Sequence, residues 1–421
     1  VIKSFIFENF KSFNKAEFNL ESLTILIGSN ASGKSNAIEG IRILSEISTG
    51  REFSVILDGS KNVDSDIRGG SRGCPKFNSN FFKLGCIVDL DNESDLEYSI
   101  KIKVGDRIYV DEESLYKVFN DDTKELVFKT KKTSKDSGDI KVEYNNGKPG
   151  KNPDLTCIRS SSVLAQLSSK IPSESEKFQE DINNIDLVIK NLRNMLFLNP
   201  VPSEMRDYSR INDSEMRSKA DNLSSVLYKL CQDDNNKKRI LDVIGTLPEN
   251  EILDIDFIKT PIGDVMFRLK EKFSVSTDYI EAKRLSDGTI RCIAVIASLI
   301  SEKSGSVVII EEVDNGIHPS RAKSLINTIS SLCKERSIDV IITTHNPALL
   351  NAVTKDDLIG VTICYRDEND GSSKFIQFID INKYPELLAQ GSLGDLAVNN
   401  EILNTIKGNR RRKKDFNWLG V

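Results

Sequence analysis

The chain is poor in several things that common chemistries need. Its 421 residues hold two histidines, His318 and His345, with one tryptophan and four methionines. Zinc centres and nuclease sites that need several histidines cannot be built from this chain alone, so such chemistry would have to come from a partner. The seven cysteines (Cys74, Cys86, Cys157, Cys231, Cys292, Cys333 and Cys364) are scattered and form no C-x-x-C pair. An odd, dispersed set in a chain that opens without a secretory signal is expected to be reduced, mostly buried thiols in the cytoplasm. No run approaches the ~18–20 apolar residues that a membrane helix needs, so no membrane partner is expected. Positive charge is not in excess either. Lys and Arg number 58 against 63 Asp and Glu, a net charge of −5, so no global positive field would hold the chain on DNA.

What is there is an ordinary globular composition, 38% hydrophobic and 29% charged. At about 150 residues per domain, the length suggests two or three folding units. The run Leu23-Thr24-Ile25-Leu26-Ile27 predicts a buried strand. Ile38, Ile41, Ile43, Leu44 and Ile47 recur near helical spacing after it. Residues 50–80 are polar and loop-like. Leu96, Tyr98, Ile100, Ile102 and Val104 alternate as in an antiparallel strand, and Asn145-Asn146-Gly147 is a turn signal. Residues 160–245 look helical. Phe178, Ile182, Ile185, Ile189, Leu192 and Leu196 form a short stripe, best explained as the inner face of an amphipathic helix. Two more helices are expected around Asn222–Leu230 and Lys238–Leu247. Val307–Ile310 and Val340–Ile342 are further buried-strand candidates between helices. The expected organisation is a lobe at 1–160, a helical insertion at 161–273, a second lobe at 274–405 and a basic tail at 406–421. The run Arg410-Arg411-Arg412-Lys413-Lys414 in that tail reads as a solvated end, with nucleic acid or an acidic partner as the alternative.

Four motifs carry chemistry. The first is Gly28-Ser29-Asn30-Ala31-Ser32-Gly33-Lys34-Ser35, the pattern GxxxxGKS between a strand and a helix. Backbone N–H groups of such a loop and of the following helix start, here including Asn36, cradle a triphosphate. Lys34 would reach the β- and γ-phosphates and the Ser35 hydroxyl would ligate Mg²⁺. The second is Ile309-Ile310-Glu311-Glu312-Val313-Asp314. A carboxylate at a strand end, Glu311, suits the metal, and the next, Glu312, suits the general base that takes a proton from attacking water. The third is Leu285-Ser286-Asp287-Gly288-Thr289 ahead of an apolar stripe. An ordinary N-cap explains it alone, while Ser286 and Gly288 at a helix start also suit phosphate. The fourth is Thr343-Thr344-His345-Asn346-Pro347 at a strand tip.

Together these resemble the nucleotide-binding head of the ABC ATPase class, in the branch containing SMC, RecF and OLD-like proteins. The resemblance begins at Glu8-Asn9-Phe10-Lys11-Ser12-Phe13, runs through the four motifs in family order, and includes Gly316-Ile317-His318-Pro319. It implies an α/β P-loop NTPase head with an antiparallel β lobe and a helical insertion. It further implies ATP and Mg²⁺ as cofactors, His345 as a γ-phosphate sensor, Asp314 in a D-loop, and Ser286 and Gly288 completing the ATP site of a second head. One phosphate loop and one signature per chain then imply a head-to-tail homodimer, possibly a higher oligomer. Two departures stand out: no Gln lies between residues 36 and 110, and Glu311 stands where Asp is usual. Both weaken a transporter-like reading. The segment Pro202-Ser203-Glu204-Met205-Arg206-Asp207-Tyr208 and Asn222-Leu223 resemble small bacterial defence ATPases of the Septu and retron-associated kind. The expected function is therefore an ATP-hydrolysing switch that regulates a separately encoded effector, such as an HNH nuclease, in anti-phage defence. The alternative is a RecF- or SMC-like ATPase of DNA maintenance, which would bind nucleic acid directly. A short heptad-like stripe excludes long SMC arms but not a compact head.

Overall fold

The computed structural model describes residues 1–60, 65–134, 136–148, 150–171, 176–245, 252–272, 279–316 and 319–416. In chain order, β1 (Ile2–Phe10) turns through Lys11-Ser12 into β2 (Phe13–Asn19). That turn needs left-handed backbone at Asn9 and Lys11, with φ of 51° and 47°. β3 (Leu23–Ile27) is buried at all five positions, as the middle strand of a parallel sheet must be. α1 (Lys34–Ile47) follows and buries Ala37, Ile38, Ile41, Leu44 and Ile47. Its Gly40 leaves room for an aromatic ring, since a Cβ there would lie 2.6 Å from Phe7.

The stretch expected as loop holds the short α2 (Phe53–Asp58), which buries Phe53, Ile56 and Leu57. Six antiparallel strands come next: β4 (Phe81–Asp91), β5 (Ser94–Val104), β6 (Ile108–Phe119), β7 (Lys124–Thr130), β8 (Asp139–Tyr144) and β9 (Asp154–Ile158). The period of two expected for residues 96–104 is present, with Leu96, Tyr98, Ile100 and Ile102 buried. After α3 (Leu164–Leu167), the stripe noted in the sequence lies on α4 (Glu176–Arg193) up to Leu192, with Ile185, Ile189 and Leu192 buried, while Leu196, expected on the same helix, falls in the strand that follows.

Between 195 and 271 the chain mixes element types. β10 (Met195–Leu198), α5 (Pro202–Met205), β11 (Ser209–Arg210), α6 (Leu223–Leu230) and α7 (Asp234–Gly245) lead into β12 (Ile252–Lys259) and β13 (Asp264–Glu271). The segment expected to be a helical insertion thus carries strands as well as helices. Pairing of β12 with β13, burial of Val265, Met266, Phe267 and Leu269, and a turn at Thr260-Pro261-Ile262-Gly263 with Gly263 at φ 85° make the hairpin. The expected continuation of the second helix to Leu247 lies outside the described residues. β14 (Ile280–Glu281), α8 (Asp287–Ser301), β15 (Val307–Ile310), α9 (Pro319–Arg336), β16 (Asp339–Thr343) and α10 (Pro347–Leu350) follow. The chain finishes with β17 (Val361–Arg366), β18 (Ser373–Gln377), α11 (Tyr384–Gln390), α12 (Leu393–Val398) and α13 (Glu401–Phe416). The basic run 410–414 falls within α13, and its side chains lie outside the described set.

The chain divides into two compact units built from interleaved segments. The first comprises Val1–Leu20, Ser29–Met195 and Cys364–Phe375. Its eight-stranded sheet runs β2-β1-β4-β5-β6-β7-β8-β9, antiparallel throughout. An aromatic cluster of Phe7, Phe10, Phe13, Phe18, Phe82 and Phe375 packs its core, with ring centroids 5.0–6.3 Å apart. Burying each such ring contributes about 1.5–3 kcal/mol.

The second unit comprises Glu21–Gly28, Leu196–Ile363 and Ile376–Val421. Its main sheet follows the order β10-β15-β16-β3-β17-β18, and β15, β16, β3 and β17 pair in parallel. A smaller sheet joins β11, β12 and β14 to β13. The architecture is α/β with a large antiparallel sheet, as the sequence predicts.

Candidate functional site

At one edge of the second unit's parallel sheet lie Gly28, which opens the glycine loop, and two of the other motifs. In register, Ile310 pairs with Ile342, Ile342 with Ile25, and Thr343 with Leu26. The three strands run the same way, so their carboxyl ends share one edge, which is where parallel sheets present ligand-binding loops. Gly28 follows β3, Glu311 follows β15, and Thr344-His345 follow β16. β16 lies between the other two strands, which places His345 on the strand flanked by both.

Backbone hydrogen bonds define the turn after β15. Glu312 N–H donates to Thr343 Oγ1 at 2.9 Å, and Val313 N–H donates to the Thr343 carbonyl at 3.2 Å. Glu312 has φ of 47°, a left-handed conformation uncommon for a residue with a Cβ. Strain of this kind persists only where neighbours hold it, and it concentrates at working sites. Val313 is buried beneath the turn, Glu311 is half-buried and Glu312 is exposed. Asp314 is half-buried, and its Oδ1 is buried without a hydrogen-bond partner among the described residues. His345 is exposed beside buried Thr344. Asn346 then caps α10, accepting from Ala348 N–H at 2.9 Å. Gly316 follows Asp314 and Asn315 at φ 73°. Ile317 and His318, singled out in the sequence, lie outside the described residues.

The loop Ser29–Ser35 and α1 belong to the first unit and are held by that unit's own residues. Lys34 is buried, and its ammonium donates to the Ser29 carbonyl at 3.2 Å. Ala31 and Gly33 take φ of 60° and 122°. Gly33 must be glycine on two counts: its backbone is left-handed, and a Cβ would lie 2.8 Å from that of Ser373. Arg366 Nε donates to the Ala31 carbonyl at 2.9 Å. Ser373 Oγ and Cys364 Sγ both donate to the Ser32 carbonyl. Ser12 Oγ accepts from Asn36 Nδ2 at 2.8 Å and lies 2.8 Å from Ser373 Oγ. Burial pushes the Cys364 thiol up to about 11, so it stays a neutral donor. The first turn of α1 has neither an acidic residue nor a capping side chain, which suits an anion at its N-terminus. Ser29, Asn30, Ala31 and Ser35 are exposed. The sequence names the loop but not these supports, because Cys364, Arg366 and Ser373 are more than 300 residues away along the chain.

The third motif lies elsewhere in the second unit. Ser286 is the N-cap of α8, its Oγ accepting from Thr289 N–H at 3.2 Å and lying 2.8 Å from Thr289 Oγ1. Arg321 Nη1 on α9 donates to Thr289 Oγ1 at 3.0 Å. Ser286 and Asp287 are exposed while Gly288 and Thr289 are buried. Ser286 thus caps α8 while the residue itself stays exposed.

Glu311 offers a carboxylate in the second unit and Ser35 a hydroxyl in the first. Mg²⁺ in general takes few protein ligands, keeping waters and phosphate oxygens for the rest of its shell. Among the described residues no group of three or more His, Cys, Asp or Glu could hold a metal by itself. No helix among them is long and apolar enough to cross a membrane. The seven cysteines are free thiols, all buried except half-buried Cys231.

A protein-family model described as "AAA domain, putative AbiEii toxin, Type IV TA system" matches residues 23–351. No curated protein matches the chain. Among solved structures the chain is similar to an SMC head bound to the C-winged helix domain of ScpA, at 13% identity over 89% of this chain and 96% of that one, with a TM-score of 0.46. It is similar to the SMC head domain from Thermotoga maritima at 13% identity, over 89% and 98% of the two chains, with a TM-score of 0.40. A third is the Smc head domain with an extended coiled coil bound to the C-terminal domain of ScpA derived from Pyrococcus furiosus, at 14% identity over 92% and 98%, with a TM-score of 0.44. The family match begins at β3 and ends just past α10, so it takes in the glycine loop, the Ser286 turn, Glu311–Asp314 and His345. The chain thus belongs to the P-loop family of AAA domains described as putative AbiEii toxin, Type IV TA system.

Proposed function

We propose that the protein binds and hydrolyses ATP and that two copies close head to tail around two nucleotides. Gly28, Ser29, Asn30, Ala31, Ser32 and Gly33 supply the loop backbone for the phosphates, with Asn36 on the first turn behind it. Lys34 neutralises the β- and γ-phosphates. Ser35 and Glu311 would hold Mg²⁺, which when bound offsets charge on the phosphate oxygens. Glu312 accepts a proton from water as the water oxygen attacks the γ-phosphorus. The bond to the β-phosphate bridging oxygen breaks, giving ADP and phosphate. His345 contacts the γ-phosphate within the same chain, while Ser286, Gly288 and Asp314 serve across the interface. Because both surfaces grip the γ-phosphate, ATP favours the closed dimer and hydrolysis opens it. This state change would act on a separately encoded effector, such as an HNH nuclease, in anti-phage defence. A toxin description attached to the family is compatible with that role.

The observation that carries the reading is the shared edge of β15, β16 and β3, where Gly28, Glu311-Glu312 and His345 follow strands in continuous register. The exposed Ser286 at a helix start supports the dimer. Glu312→Gln is expected to bind ATP, to hydrolyse it about 10²–10⁴-fold more slowly, and to accumulate as a dimer in sedimentation with ATP. Turnover at the parent rate would move the general base elsewhere.

A further inference from the structure

The segment Pro202–Tyr208 has no part in the scheme above, yet it is built against the Ser286 turn. α5 ends at Arg206, whose Nη2 donates to the Leu285 carbonyl at 2.8 Å and to Asp287 Oδ1 at 2.5 Å. A single guanidinium nitrogen therefore joins the residues on either side of Ser286. Arg206 is only 25% exposed against 63% for Asp287, so the arginine is the fixed partner. Next to it, the Lys283 ammonium lies 5.6 Å from the Tyr208 ring centre and 4.0 Å from Asp207. Two neighbouring residues of the segment are thus tied to the approach to the turn.

Asp287 explains why an arginine is useful there. A carboxylate in the first turn of α8 favours the helix dipole. Beside Ser286 and Gly288, however, it would repel a triphosphate brought by a second copy. Thr289, itself bonded by Arg321, holds Ser286 from the helix side. Arg206 holds the opposite side and cancels the misplaced charge.

We infer that Arg206 is a positioning residue for nucleotide held in trans: it fixes the backbone around Ser286 and neutralises Asp287 so that the turn accepts a triphosphate. The inference rests on the head-to-tail reading and adds a residue to it. ATP-dependent dimerisation would be measured in the Glu312→Gln background, and turnover in the otherwise unaltered chain, for Arg206→Ala, Asp287→Asn, their combination and Ser286→Ala. Arg206→Ala is expected to weaken dimerisation and to lower turnover about tenfold, as loss of a charge-assisted contact would. ATP affinity of the dilute chain should stay unchanged. Adding Asp287→Asn should restore part of the loss, which a purely structural role for Arg206 would not allow. If Arg206→Ala does not fold, Arg206→Gln, which keeps a donor and drops the charge, carries the same expectation. Undiminished dimerisation in the Arg206 variants, with loss in Ser286→Ala, overturns the role of Arg206 alone. So does a loss that Asp287→Asn does not relieve. If Ser286→Ala also keeps full dimerisation and turnover, the head-to-tail reading itself falls.

Discussion

Lys34 shows how much of a working residue is written in its own neighbourhood. The pattern GxxxxGKS, a buried run before it and a helix after it were all legible, and the structure has β3 and α1 where they were expected. With its ammonium 3.2 Å from the Ser29 carbonyl, the lysine is folded back over its own loop. Lys34→Ala is therefore expected to lose at least about 2 kcal/mol of ATP binding, the scale of a charged hydrogen bond. Titration with a fluorescent ATP analogue would measure it; affinity equal to the parent's would remove the loop from the site. The supports of that loop were not legible. Arg366, Ser373 and Cys364 bear no local pattern, and only folding brings them to the carbonyls of Ala31 and Ser32. The left-handed backbone of Glu312 is likewise invisible in Glu-Glu-Val-Asp, since φ there is imposed by Thr343 on the neighbouring strand.

Among elements, periodicity carried strands β3, β5, β15 and β16 and helices α4, α6 and α8. The β12–β13 hairpin falls in the segment expected to be helical: Thr260-Pro261-Ile262-Gly263 is a local turn signal, but the helical spacing ahead of it carries no trace of the strand pairing. Order within the parallel sheet is not a local property and could not be read at all. α4 also hides a titration. Asp181 is fully buried on it, and neither carboxylate oxygen finds a well-formed hydrogen bond. Lys177 stands 3.3 Å away and is shared with Glu125 and Glu180. Burial outweighs that pairing and pushes the Asp181 carboxyl from 3.8 up to about 7. The folded chain thus binds a proton that the unfolded chain has released. Stability from this group is full below the unfolded value and is lost as pH rises towards about 7, by up to about 1.4 kcal/mol per pH unit. Asp181→Asn removes the titration while keeping the shape. Urea unfolding should then show a flatter dependence between pH 5 and 8 than in the parent, with the variant the more stable at pH 8. An unchanged slope would mean that Asp181 is ionised throughout.

Across the whole molecule, charge is abundant but locally cancelled. On the antiparallel sheet, Lys3 meets Asp89 and Asp95, Lys101 meets Asp111 and Glu112, Lys124 meets Glu97, and Lys131 meets Asp154. Among the described residues these pairs cancel much of the positive charge on that sheet, and the net charge of the chain is −5. Selective attraction is better sought where charge is directed, at the glycine loop and the Ser286 turn. If these two surfaces meet only between copies, inactive chains should repair each other. Lys34→Ala spoils the loop and leaves the turn intact, whereas Ser286→Ala does the reverse. A head-to-tail pair made of one of each has one site with both halves spoiled and one with both halves whole. Equal mixing makes half the pairs mixed, and each of these carries one good site of two, so turnover should recover to roughly a quarter of the parent rate. Variants that act within a single chain, or in sites closed by that chain alone, would show no recovery on mixing at any ratio.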